Sequence, residues 1–220
     1  MEQPSMTVTQ EVTDYVEREI IPHYTAFDKA HREDHVRMVI RQSLRLAAHF
    51  PALNTDMVYV VAAFHDLGLA YGRENHHRDP RKILESDAFV RVHFTPAQIR
   101  IMGEAVEDHR ASNGHRPRNE YGLIVAEADR HIDPETIIRR TIQYGLSHYP
   151  DLDREGHRQR AIRHLHEKYG PDGYLRVWLP FGDNARNLKK LHTLLADQPR
   201  LDGIFERIFD EEAGEQKVGN

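Results

Sequence analysis

Apolar positions recur at three- and four-residue intervals along almost the whole chain, and alternating runs closed by Gly-Asn or Asp-Gly turns are almost absent. The pattern predicts an all-α protein, with helices at about 9–21, 34–49, 55–68, 80–88, 96–110, 120–131, 134–144, 154–168, 185–196 and 200–211. Thr95-Pro96-Ala97-Gln98 offers an N-cap, a proline at the first helical position and a glutamine able to close a capping box; Asp133-Pro134 repeats the first two features. Pro51 and Asn54 mark the break between the second and third helices. The helical pattern fails at Tyr169-Gly170-Pro171-Asp172-Gly173, after which Tyr174–Leu179 is expected to be a short extended piece. Tyr71–Asp79 and Ala111–Asn119 lack helical pattern and are rich in Arg and His. Loops of that length in a compact domain are either functional or plain solvated surface.

At 220 residues the chain can bury a core without staples, and one domain is the expectation. Its 35 acidic residues exceed its 30 Lys and Arg, which disfavours a surface that coats a nucleic-acid polymer. Cysteine is absent, so disulfides, thiolate metal sites and cysteine nucleophiles are excluded together. Any metal must be held by His, Asp, Glu or water, and there are 16 His. The first ten residues lack the basic and apolar regions of a secretory signal, and the longest apolar run, Met57–Phe64, is too short to span a bilayer. A cytoplasmic location with no membrane partner is expected.

Met57–Phe64 leads straight into His65-Asp66. A helix apolar all round is buried, so the pair is expected at the inner end of a core helix, where an ionised Asp is costly unless something positive neutralises it. Alone, such a pair reads most simply as a hydrogen-bonded helix cap. Its company changes that. Val36, Val39, Ile40, Leu44, Leu46 and Ala47 form one apolar arc with His35 at its edge, whereas His31 falls on the polar side. His109 shares a face with Ile99, Met102, Ala105 and Val106, as a satisfied core histidine also would. Asp129 projects with Val125, Ala126 and Ile132. Two inward carboxylates and two or three inward histidines in one helical domain call for a cation. Imidazole and carboxylate without thiolate suit Mn, Fe, Co, Ni or Zn.

The order His35, His65-Asp66, Asp129 resembles the H…HD…D signature of the HD-domain metal-dependent phosphohydrolase superfamily. Asp28–Val36 is similar to the start of that family's first motif helix, Ala63–Gly68 to its central motif and Glu104–Arg110 to its intermediate helix. The likeness covers about residues 24–132 and implies a single HD-type domain, with a helical annex at about 133–212 that carries no motif. It implies that His35, His65, Asp66 and Asp129 ligate one divalent ion, with Mg added to the metals above. Members with further histidines between the HD pair and the last Asp hold a second metal or phosphate there; His109 is the first candidate, His76 or His77 the second and His93 the third, although a surface loop histidine is the simpler reading of His93. The chain departs from the branch with a Glu shortly after HD, since Leu67-Gly68-Leu69 follow Asp66, and the proton acceptor stays unassigned. It departs also from the cyclic-di-GMP phosphodiesterase branch, whose Gly-Lys pair and Gly-Tyr-Pro motif are both missing.

The resemblance implies hydrolysis of a phosphoester or phosphoanhydride in a nucleotide or other small phosphorylated metabolite, by water that the metal activates and Asp66 helps orient. Of the cations nearest the motifs, Arg73 and Arg110 are the expected phosphate contacts, and Lys82, Arg118 and Arg130 read as solvated charges. Two alternatives stand beside this expectation: a two-metal phosphodiesterase, and a non-catalytic helical module holding a structural ion or a nucleotide. A complete tetrad favours catalysis, and the missing Glu keeps the module open. Any oligomer is expected to be a symmetric homodimer.

Overall fold

A computed structural model of the chain describes residues 7–26, 33–68, 79–110, 113 and 115–218. Every regular element among them is helical, as the apolar spacing predicts: α1 (Gln10–Tyr15), α2 (Glu33–Ala47), α3 (Thr55–Phe64), α4 (Asp79–Ser86), α5 (Ala88–His93), α6 (Pro96–Asp108), α7 (Glu120–Asp129), α8 (Pro134–His148), α9 (Arg154–Tyr169), α10 (Asp183–Ala196) and α11 (Gln198–Val218). The chain divides into two compact units, Met1–Arg130 and His131–Asn220. No described helix is long and apolar enough to cross a membrane.

In the first unit α3 is the central element. Every residue from Met57 to Phe64 is buried, as a helix without a polar face requires. Asn54 starts it, its side-chain oxygen accepting from the Met57 N–H at 3.1 Å. Around it, α2 packs on α3 and α7, and α6 packs on α3, α4 and α7. Thr95 and Gln98 close a reciprocal capping box that fixes where α6 begins.

Two stretches of this unit differ from the helices that periodicity predicts. The first does not run on as one α-helix: α1 passes into a π-helical turn at Val16–Ile20 and a 3-10 helix at Ile21–Ala26. Pro22 has no N–H to continue the ladder, and the tighter path buries Tyr24 completely. The predicted helix at about 80–88 stops early because Asp87 caps a separate helix, α5, accepting from the Val90 N–H at 2.9 Å and from the Tyr15 hydroxyl at 2.5 Å. A short acidic side chain bonds backbone amides more readily outside a helix than within one.

In the second unit α8 packs on α9, α10 and α11, and α10 on α9 and α11. Ile138, Ile142, Leu165, Leu191, Leu201 and Phe205 are fully buried between them. Tyr174–Leu179 forms no regular element. The Tyr174 and Leu175 N–H groups instead bond back to the Glu167 and Lys168 carbonyls at 3.1 and 3.0 Å, so this piece seals the end of α9.

Candidate metal centre

Three helices of the first unit end at one place. His65 is the C-cap of α3, His109 is the C-cap of α6, and Asp129 is the last residue of α7. A helix C-terminus carries unpaired carbonyls and the negative end of the helix dipole, so three of them together favour positive charge.

The two capping histidines are held in the same way. His65 Nδ1–H donates to the Ala62 carbonyl at 2.8 Å and His109 Nδ1–H to the Val106 carbonyl at 2.6 Å, three residues back in each case. A carbonyl only accepts, so the proton of the neutral ring sits on Nδ1 and the lone pair on Nε2. His65 Nε2 lies 3.4 Å from His35 Nε2, 3.2 Å from Asp66 Oδ2 and 3.9 Å from Asp129 Oδ1. His35, reaching in from α2, places Nε2 3.2 Å from Asp129 Oδ1 and 3.6 Å from Asp66 Oδ2. His109 Nε2 faces the other oxygen of Asp66, Oδ1, at 3.5 Å.

The two 3.2 Å contacts are at the long end of an N–H···O hydrogen bond, and the rest are longer. All but the 3.9 Å between His65 and Asp129 match neighbouring ligands of one ion, because donors about 2.0–2.2 Å from a divalent metal stand about 3–3.6 Å from each other. The ligand atoms of His35, His65 and Asp66 all lie within 4.8 Å of one another. Imidazole and carboxylate donors without thiolate are a set that divalent transition metals accept, so the residues present fit such an ion.

The charges agree with that fit. Burial pushes Asp66 up, but charge on His65 and hydrogen bonds from His109, His35 and His65 outweigh it and hold the carboxyl well below its usual range. Asp129 is also lowered, the hydrogen bond from His35 and the charge on His65 overcoming burial. Burial pushes His35 down, yet its hydrogen bonds to Asp129 and Asp66 carry its pKa up to about 9. His109 is raised as well, Asp66 outweighing burial. Both carboxylates are thus held ionised, and protons on the imidazoles play the part that a metal would compete for. His65 is fully buried, whereas His35 and Asp129 keep 18% and 25% of their side chains exposed, so the cluster is floored on one side and open on the other.

Of the other candidates, Arg73, His76 and His77 lie outside the described residues, as does His31. Arg110 follows His109, and its carbonyl accepts from Arg130 Nη2 at 3.5 Å. Arg130 is not a solvated charge: it is buried, its Nε and Nη1 have no hydrogen-bond partner, and burial pushes its pKa down. Nor is Arg118, which grips the Asp108 carboxylate at 2.8 and 2.9 Å and thereby pins the residue before His109. Lys82 is exposed. His93 is engaged elsewhere, stacked on Phe89 and 2.9 Å from Glu11 Oε1.

Periodicity misses Tyr24. Its hydroxyl donates to the Ala63 carbonyl at 2.8 Å and accepts from the Asp66 N–H at 3.4 Å, tying the end of α3 to the 3-10 segment directly beneath the cluster. No family model, curated protein or solved structure matches the chain.

Proposed function

We propose that the first unit is an HD-type, metal-dependent phosphohydrolase acting on a nucleotide or another small phosphorylated metabolite. One observation carries the proposal: of the H…HD…D order, His35, His65 and Asp66 bring ligand atoms within 4.8 Å of one another where α3, α6 and α7 end, and Asp129 Oδ1 joins them 3.2 Å from His35 Nε2. These four residues would hold a divalent ion, which supplies acidified water and positive charge facing the phosphoryl oxygens.

The chain's own groups do the rest. Asp66 turns Oδ2 to His35 and His65 and Oδ1 to His109, so one oxygen serves the ligand set while the other is left to orient water. His109, with Nδ1–H committed to Val106, keeps Nε2 to take or give a proton beside that oxygen. The buried floor excludes bulk water, and the exposed edges of His35 and Asp129 admit the substrate. Arg110 is the proposed phosphate contact nearest the cluster, and Arg73 is proposed from its place after the HD pair in the sequence.

A two-metal phosphodiesterase is the second reading. It is favoured by the 3.5 Å approach of His109 Nε2 to Asp66 Oδ1, which repeats on one side of the carboxylate the spacing seen on the other. Elemental analysis of the purified chain, with phosphate release from a nucleotide panel after Mn, Fe, Co, Ni, Mg or Zn is returned to metal-free protein, tests both. One ion with metal-dependent turnover supports the hydrolase, and two ions support the phosphodiesterase. Metal without turnover across the panel leaves a binding module, and lack of metal affinity overturns the proposal.

A further inference from the structure

A different chemistry gathers wholly within the second unit. Along α8, Ile137, Arg140, Thr141 and Tyr144 share one helical face. Along α9, Arg160, His164 and Lys168 follow at steps of four residues and form a basic stripe. The two helices pack together, and these faces meet around a cavity of about 490 Å³. Small-molecule sites span roughly 300–1,000 Å³.

The wall is one-sided in charge. His131, Arg140, Arg160, His164 and Lys168 line it and no carboxylate does, in a chain whose net charge is −5. Among the described residues none of these five forms an ion pair. Arg139 and Arg154 of the same unit are paired by contrast: Arg139 binds Glu211 and Glu212, and Arg154 binds Glu206 and Asp210.

Arg160 is fixed in place without being neutralised. Its guanidinium donates to the Thr141 carbonyl and lies 5.7 and 5.5 Å from the ring centroids of Tyr144 and Tyr149. Its Nε is buried and has no hydrogen-bond partner. A guanidinium held by a carbonyl and over two aromatic rings is preorganised for a phosphate, which its remaining donors can meet bidentately. A half-open cavity of this size, rimmed by the exposed Arg140, Tyr144 and Tyr149, admits a small anion, where a polymer would need a basic track across the surface.

We propose that the α8–α9 cavity binds a small phosphate-bearing anion, with Arg160, Lys168 and Arg140 neutralising its oxygens. The test is calorimetric titration of the full chain carrying Asp66→Ala, which disables the histidine–carboxylate cluster, with inorganic pyrophosphate and separately with ADP in metal-free buffer. Wild-type chain stripped of metal serves as a second host should Asp66→Ala fold poorly. The expected result is a Kd below about 1 mM for at least one probe, weakened by salt. Lys168→Ala and Arg140→Ala should each weaken binding about tenfold, and Lys168→Arg should restore it. Tighter binding of ADP identifies a nucleotide as the source of the phosphate, and equal or tighter binding of pyrophosphate identifies the inorganic anion. Failure of both probes to bind, or unchanged affinity in both alanine variants with intact helical circular dichroism, overturns the proposal. Since the readout is binding in metal-free buffer rather than turnover, this result and that of the hydrolase test are separable.

Discussion

His35 Nε2 stands 3.2 Å from Asp129 Oδ1, joining the start of α2 to the last residue of α7. In the metal-free chain the imidazole's pKa, 6.5 when unperturbed, reaches about 9 because hydrogen bonds to Asp129 and Asp66 outweigh burial. A histidine whose folded pKa is raised contributes stability that is complete below the unfolded value and lost as pH rises through the folded one. The metal-free protein should therefore lose stability between about pH 6.5 and 9, by ~3 kcal/mol at most on the scale of 1.36 kcal/mol per pKa unit. Metal should flatten this dependence, since the ion replaces the proton. Urea midpoints at three pH values, with and without metal, measure it; a flat metal-free profile would contradict the ion pair.

Asp66 is the only carboxylate that faces all three histidines of the cluster among the described residues. Asp66→Ala should abolish metal binding and reduce hydrolysis to background while the far-ultraviolet circular dichroism stays helical, because α3 is fixed by its buried face and by Asn54 rather than by its last turn. Normal turnover in the variant would sink the site assignment.

His109 approaches Asp66 from the side opposite His35 and His65, so its loss leaves the other donors in place. His109→Ala should retain at least one ion and lower activity by roughly 10²–10⁴, the range of a positioned acid or base. Metal analysis and kcat on the same sample decide it. Loss of all metal would mean that the primary ligands lie elsewhere.

The parts of this structure that depend on neighbours in sequence are readable from the sequence alone. Asn54, Thr95 with Gln98, and Asp133 cap the helices that they announce. The inward direction of His35 and Asp129 follows from apolar arcs on their own helices. What periodicity does not convey is how faces meet. Arg160, His164 and Lys168 stand four residues apart, but their spacing alone does not show that the Arg140–Tyr144 face of α8 lies opposite. Periodicity places Arg130 and Arg118 in water, where burial and the Asp108 carboxylate claim them. Tyr24 escapes for a related reason: its partners are the Ala63 carbonyl and the Asp66 N–H, backbone groups that no side-chain pattern records.

That hidden contact has its own consequence. Tyr24→Phe keeps the ring in its fully buried place but removes the hydroxyl partner of both the Ala63 carbonyl and the Asp66 N–H. The expected cost is about 1–3 kcal/mol in urea unfolding, together with metal affinity lowered about tenfold because the ligand-bearing turn is less well held. A variant with wild-type stability and wild-type metal affinity would show the hydroxyl to be dispensable.

In the second unit His164 reports whether an anion enters the α8–α9 cavity. Burial lowers its pKa from 6.5, the charges of Lys168 and Arg160 lower it further, and Glu167 opposes them only in part. Arg140 lines the same cavity and adds positive charge, and His131 lines it too. A histidine depressed in the folded state contributes stability that is present above its unfolded pKa and lost as pH falls through that value and toward the folded one. A bound phosphate reverses the field that holds the proton off. The imidazole resonances of His164, followed by NMR across pH, should therefore titrate below 6.5 in the free protein and move upward at saturating pyrophosphate. Pyrophosphate affinity should rise as pH falls across the same interval. Lys168→Ala should shift the free-state titration upward without ligand, because it removes the nearest like charge on the next turn. An unmoved titration at saturation would place the anion away from α9.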